Sequence, residues 1–352
     1  MFATQKDVAA RAKVTQAVVS AVLRDDTSKV RCSEAIRKKI LRVARELNYR
    51  PNPGASIMRK RRTRILGLLF SNPHSFPFIP TRLYTGVVRS AARRGYYVSL
   101  IHDPHAAAGG GDYALPMSFR ELHVDGYLMM HTGALAPALR KALNDPSVRS
   151  VFLNDDRPTN AVLPDDREGG RMAVRHAFEK GYRRPLFLFT LDPEETRHHS
   201  TAHRWEGVCE AVRAEGREPR RLEIPLAGTD PDTDTALRSI LAEPSASRPD
   251  CLIGATDHIA VRAIHTLQRH GCRVPAEMGV IAFNDDLIGA LSPIPLTSIA
   301  LDWLRLAEVA VGRLVQLVEG RADTPPLPAD VVPVSLIPRL STDRGGHSGA
   351  QP

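Results

Sequence analysis

Residues 4–24, TQKDVAARAKVTQAVVSAVLR, decide how the N-terminal part of this chain folds. Val8, Ala9 and Ala12 fall on one stripe of a helix over 6–12, and Val18, Val19, Val22 and Leu23 on one stripe of a second over 15–23. Thr15 is placed to cap the second helix, and a connection of only Lys13-Val14 forces a steep crossing, as in a helix-turn-helix. The outward positions of the second helix are read as Gln16, Ala17, Ser20 and Ala21, short or amide side chains suited to touching base edges in a major groove.

Charge points the same way. Residues 1–64 carry 17 Lys and Arg against 5 Asp and Glu, a net of +12, whereas the remaining residues carry 31 against 34, a net of −3. The excess behind the overall +9 therefore sits at the N-terminus, interleaved with regularly spaced apolar residues. A basic module on a near-neutral body is the footprint of phosphate binding with counterion release.

At 352 residues the chain has room for two to three domains, and 43% hydrophobic with 25% charged residues is ordinary for a soluble globular protein. No window has the length and apolarity of a membrane span, and MFATQKDVAARAK contains no apolar signal segment, so a cytoplasmic, nucleoid-associated location is expected. Cys32, Cys209, Cys251 and Cys272 are scattered without metal-ligand spacing and fit reduced core thiols.

Ser33 opens a third amphipathic helix that ends near Asn48-Tyr49, because RPNP turns the chain out of helical conformation. GASIMRKRRTR reads as a hinge. From Arg64 the rhythm becomes α/β. Strands are expected at 65–70, 97–101, 126–130, 151–153, 186–189, 251–254 and 280–283, and helices at 82–94, 137–143, 169–180, 204–215, 232–241 and 258–270. The fold class is thus a three-helix headpiece followed by two doubly wound parallel-sheet subdomains, with a ligand in the crevice at the carboxyl ends of the strands.

These stretches, in order KDVAARAKVTQAVVSAVL, ELNYRPN, TRILGLL, VDGYL, DDREGGRMAVRHAFEKGYRRPLFL, RWEG, ATDHIAVRAI, GVIAFNDD, PLTSI and PRLST, resemble the LacI/GalR family of bacterial transcription regulators over nearly the whole chain. The resemblance implies a headpiece at 1–48, a hinge helix at 49–63 and an effector-binding and dimerisation domain at 64–341. Its N-subdomain would span 64–164 and 299–323, its C-subdomain 165–298 and 324–341, and a polar disordered tail 342–352. It implies a homodimer on a pseudopalindromic operator in double-stranded DNA, repression as the family default, and a sugar-like effector between two lobes.

By matching position, Gln16, Ala17 and Ser20 would meet bases, and Lys6, Thr15 and Arg24 would hold phosphates. Asn52, Ala55 and Arg59 match minor-groove hinge positions, and Met58 stands where the family wedges a leucine between base steps. Lys13 replaces the usual turn glycine, and Ala21 an often-present arginine. In the cleft Arg204 matches the ligand-clamping arginine, a rigid fork of donors. Asn284 and Asp285 match the FDD turn, Thr256 the first member of an Asn-Asp pair, and Asn154 or Asp156 a further polar contact, since NDDRP aligns two ways. Phe78 and Ile79 stand where the family packs apolar residues on the ligand.

Other classes fare worse. His198, His199 and His203 crowd one stretch, but only the last two have the spacing of a helical ligand pair, so no metal site is expected. No nucleophile elbow, Walker loop or dinucleotide fingerprint is present; Gly109-Gly110-Gly111 is a loop, and neither enzyme activity nor a cofactor is expected. A solute-binding protein without a DNA role would account for the α/β body but not for the basic headpiece.

Overall fold

The computed structural model describes residues 3–23, 32–50, 62–70, 80–102, 115–121, 124–131, 135–191, 198–225, 230–321 and 324–344. The chain divides at Thr63 and Arg64 into a headpiece and a body. Arg24, Asn52, Ala55, Met58, Arg59, Phe78 and Ile79 lie outside the described residues.

The headpiece holds α1 (Gln5–Ala12), α2 (Gln16–Leu23) and α3 (Glu34–Glu46). Thr4 and Asp7 form a capping box: Thr4 Oγ1 accepts from the Asp7 N–H, and the Asp7 carboxylate accepts from the Thr4 N–H at 2.7 Å. Thr15 Oγ1 accepts from the Val18 N–H at 3.4 Å, as expected of a cap, and Ser33 opens α3 in the same way. Val8, Ala9 and Ala12 bury against Val19, Val22, Ile40, Val43 and Ala44, one small core shared by three helices. Both helix stops use left-handed residues. Lys13 has φ 56°, and the Val14 N–H reaches back to Ala9 O; Asn48 has φ 47°, and the Tyr49 N–H reaches Ala44 O.

In the body the strands are β1 (Ile65–Phe70), β2 (Tyr97–His102), β3 (Gly126–Met130), β4 (Ser150–Leu153), β5 (Ala161–Pro164), β6 (Pro185–Leu191), β7 (Arg220–Pro225), β8 (Cys251–Gly254), β9 (Gly279–Asn284), β10 (Thr297–Leu301), β11 (Asp330–Val332) and β12 (Val334–Ile337). They form two six-stranded sheets, ordered β11-β5-β4-β3-β1-β2 and β12-β10-β9-β8-β6-β7. All neighbours are parallel except β10 and β12. The main covering helices are α4 (Thr81–Arg93), α5 (Asp166–Glu179), α6 (His199–Ala214), α7 (Asp257–Arg269) and α8 (Trp303–Glu319). On the first sheet, Leu306, Ala307, Ala310 and Leu314 of α8 and Leu83 and Val87 of α4 bury against Leu66, Leu68, Leu128 and Val151. On the second, α5 and α6 cover one face and α7 the other.

The chain passes between the sheets three times, at Asp165, Asp302 and Pro333. Two expected boundaries therefore move. β10 stays with the second sheet through Leu301, so the exchange falls at Asp302 and not at 299. The last exchange is at Pro333 and not between 323 and 324, because β11 pairs with β5. Pro333, which separates β11 from β12, cannot extend a ladder and marks the change of sheet. Among the described residues no helix is long and apolar enough to cross a membrane.

The Lys13 geometry is directly testable. Glycine adopts this backbone freely, whereas a β-branched residue is strained there. Lys13→Val is expected to lower headpiece stability by about 1–2 kcal/mol, and Lys13→Gly to cause no loss, as read from thermal unfolding.

Candidate functional site

On the headpiece Lys6, Thr15, Gln16 and Ala17 are exposed, Gln16 and Ala17 side by side in the first turn of α2. The outward reading fails for Ser20 and Ala21, which are 8% and 5% exposed. An eight-residue helix wedged against two others offers a narrow free face, and these small side chains lie below it. The Thr15 hydroxyl already serves the helix start.

The centre of the body's site is set by two glycines. A Cβ on Gly170 would lie 2.2 Å from Arg204 O, and one on Gly207 would lie 1.9 Å from Arg167 O, so α5 and α6 touch backbone to backbone. That contact brings Asp166, the first residue of α5, against Arg204 of α6. Arg204 Nε donates to Asp166 Oδ1 at 2.7 Å, with both side chains 5% exposed or less. Its terminal nitrogens donate to Ala255 O at 2.5 Å and Asn284 Oδ1 at 3.3 Å, and the guanidinium lies 4.6 Å from the centre of the Phe283 ring. Ala255 follows β8 and Asn284 ends β9, so Arg204 ties together the carboxyl ends of adjacent strands, where α/β folds bind ligands. Arg204 is also a structural member: removing it would strand a buried carboxylate, a loss of about 3–5 kcal/mol.

Asn284 and Asp285 have φ 104° and 56°, left-handed angles that Asn and Asp tolerate better than most residues. Asp285 is held by Arg339 at 2.5 Å and by Arg82 of α4 at 3.3 Å, the latter an ion pair between lobes. Asn154, directly after β4 and also left-handed, meets the other lobe too: its carbonyl accepts from His198 Nε2 at 3.1 Å, and Ser200 Oγ lies 3.4 Å from its Oδ1. Asp156 is exposed, its carboxylate 4.0 Å from His203. Thr256 caps α7, accepting from the Ile259 N–H at 3.5 Å.

His198 is spent on both nitrogens, since Nδ1 accepts from the Ser200 N–H as the cap of α6. Burial, with His199 beside it, pushes its pKa down to about 4. Burial also lowers His199, opposed by the nearby Asp166 and Asp156 carboxylates. Asp166, His199, Arg82 and Arg339 join the site residues expected from the sequence; the pair Gly169-Gly170 and the single glycine of RWEG, Gly207, are the local signal that α5 and α6 approach closely.

Two predictions follow from this geometry. Gly207→Ala is expected to cost about 1–3 kcal/mol in urea denaturation, outweighing its gain of about 1 kcal/mol in helix propensity. Asp257 is fully buried, accepting from the Asp286 N–H and Ser298 Oγ, and burial pushes its pKa from 3.8 up to about 7 against those hydrogen bonds. A carboxyl with a raised folded-state value contributes stability below its unfolded value and loses it as pH rises through the folded one. Melting temperatures should therefore show Asp257→Asn gaining on the wild type from pH 5 to pH 8.

Residues 4–52 match the model of the bacterial regulatory proteins, lacI family, and residues 174–342 that of the periplasmic binding protein-like domain. The ribose operon repressor of Escherichia coli (strain K12) is 28% identical over 322 residues, covering 89% of this chain and 92% of that protein. The HTH-type transcriptional repressor PurR of Aliivibrio fischeri (strain MJ11) is 27% identical over 326 residues, covering 91% and 93%. In fold, the chain is similar to the lac repressor dimer bound to operator and the anti-inducer ONPF, with TM-score 0.75 at 22% identity over 97% of this chain and 99% of that one. It is also similar to the transcriptional regulator CelR in its cellobiose complex, with TM-score 0.63 at 24% identity over 96% and 99%. Headpiece, two-sheet body and relatives agree: the chain joins a DNA-binding region matching the lacI family of bacterial regulatory proteins to a periplasmic binding protein-like domain, and its curated relatives are transcriptional repressors.

Proposed function

We propose that this protein is a transcriptional repressor that binds a pseudopalindromic operator as a homodimer, at the nucleoid, and answers to a small sugar-like effector between the lobes of its body. The observation that carries this reading is the +12 headpiece, whose helix-turn-helix leaves Lys6, Gln16 and Ala17 exposed. Gln16 and Ala17 are the base-facing residues, Lys6 and Thr15 face phosphates, and Arg24, Asn52, Ala55, Met58 and Arg59 are assigned by family position alone. Ser20 keeps its family assignment, but its burial gives it less reach than Gln16.

Two features of the body support a dimer. Tyr84 and Val88 stand exposed one turn apart on α4, and Tyr97 and Leu100 are exposed on the edge strand β2. In the second lobe Leu287 and Leu291 are 71% and 74% exposed. Exposed apolar residues grouped in this way mark protein contact surfaces, and a symmetric dimer covers each patch with its own copy.

For the effector, the support is Arg204 with Asn284, Asn154 and Thr256 at the carboxyl ends of the strands. Two relatives point to sugars by name, one as a ribose operon repressor and one as a cellobiose complex. Asp285 is taken by Arg82 and Arg339, so its part is to tie the lobes. The effector must bind the DNA-competent and DNA-incompetent lobe arrangements unequally, since equal binding shifts nothing.

Selection of bound sequences from a random DNA pool by the full-length protein tests the reading. A palindrome of about 14–20 base pairs is expected, and salt-sensitive binding without enrichment would overturn sequence-specific repression. On the selected site, Gln16→Ala should change preference at one or two positions by about 1–3 kcal/mol, and Lys6→Ala should weaken all sequences alike.

A further inference from the structure

Among the described residues, two buried polar atoms at the starts of α5 and α6 have no hydrogen-bond partner. They are Asp166 Oδ2, on a residue only 2% exposed, and His199 Nε2, on the first residue of α6. Asp166 spends its other oxygen on Arg204 Nε. His199 lies among carboxylates, with Asp166 and then Asp156 the charges that act on it most, and its ring packs against His198 and His203 at 4.3 and 5.2 Å. A buried carboxylate oxygen without a donor is costly to maintain, and a ligand recovers that cost by supplying the donor.

We infer that the effector is a neutral polyhydroxylated molecule, and that one of its hydroxyl groups is read by Asp166 Oδ2 and His199 Nε2 beside Arg204. This rests on the effector reading above and narrows it. A carboxylate accepts only, so the ligand must bring a proton. A neutral imidazole nitrogen donates or accepts according to tautomer, and a hydroxyl does both, so it satisfies the two atoms together.

Charge argues against an anionic group. Arg204 is on Asp166 at 2.7 Å, Arg82 and Arg339 share Asp285, and Arg157 is on Asp155 at 2.9 Å. A phosphate or carboxylate would meet cations already neutralised, next to an unpaired acceptor of its own sign. Burial holds His199 below its ordinary value, so the ring brings no compensating charge at neutral pH. A flat nucleobase fits less well, because the Phe283 ring beside Arg204 is fully buried with the guanidinium over its face.

The test is a thermal-shift screen of the full-length protein against neutral aldoses, glycosides and polyols, their phosphate esters, uronic acids and nucleobases, followed by calorimetry on what binds. A neutral sugar is expected to bind. Its affinity should fall at least about tenfold in Asp166→Asn and in His199→Phe, which keeps the ring packing. The monodeoxy sugar lacking the read hydroxyl should bind the wild type as weakly as the parent sugar binds His199→Phe, with no further loss when both changes are combined. If Asp166→Asn unfolds, as its melting temperature would tell, the His199 and deoxy-sugar comparison stands alone. Preference for an ester, an acid or a nucleobase, or unchanged sugar affinity in His199→Phe, overturns this inference and leaves the effector reading in place. A screen in which nothing binds overturns both.

Discussion

The candidate binding site depends on the backbone contact between Gly170 and Gly207. With any larger residue at either position α5 and α6 would separate, and Asp166 would no longer reach Arg204. The ion pair needs that proximity, because burying two charges costs more than their attraction returns unless geometry and further hydrogen bonds are good. Here Arg204 adds Ala255 O and Asn284 Oδ1, and in doing so fixes the ends of β8 and β9. Two residues without side chains thus set the positions of five groups in the cleft: Asp166, Arg204, Asn284, Ala255 O and the first turn of α6.

The ties between the lobes are of a different kind. Arg82 is 63% exposed, so its pair with Asp285 is worth at most about 1 kcal/mol. The contacts of Asn154 with His198 and Ser200 are single hydrogen bonds of 3.1 and 3.4 Å. Each lobe is held by a large apolar core, and among the described residues the side-chain contacts named above that join the lobes are polar. A ligand with a modest difference in affinity between two lobe arrangements can therefore shift their populations. The Arg339–Asp285 pair belongs to the rigid side, holding the turn that presents Asp285 to Arg82.

Where a sequence signal was local, it was legible. The stripe of Val8, Ala9 and Ala12, the caps at Thr15 and Ser33, and apolar runs such as 65–70, 126–130 and 251–254 match the elements found. β5, β7, β10, β11 and β12 were not marked, for physical reasons. AVLP and DVV are very short, and RRLEIP is an edge strand whose charged residues stand in solvent. Helices α5 and α6 begin earlier than periodicity implied, because their first turns, DRE and HSTAH, are polar and serve the site. Arg204 and Asn284 carried family signatures. Asp166 looked like part of a turn, and only the tertiary approach of two glycines gives its carboxylate a partner and its second oxygen a task.

The three passages between the sheets also order the synthesis of this protein. By Pro164 five of the first sheet's six strands have been made, but α8, which covers Leu66, Leu68, Leu128 and Val151, comes only after β6 to β10 of the other lobe. The second lobe waits still longer: β12 pairs with β10, and Ser341 and Thr342 are buried against Thr297. A nascent chain therefore carries an uncovered apolar sheet face for most of its translation, the kind of surface that aggregates or engages chaperones. Both sheets wait for adjacent late strands, β11 for the first and β12 for the second, so the two lobes are completed almost together.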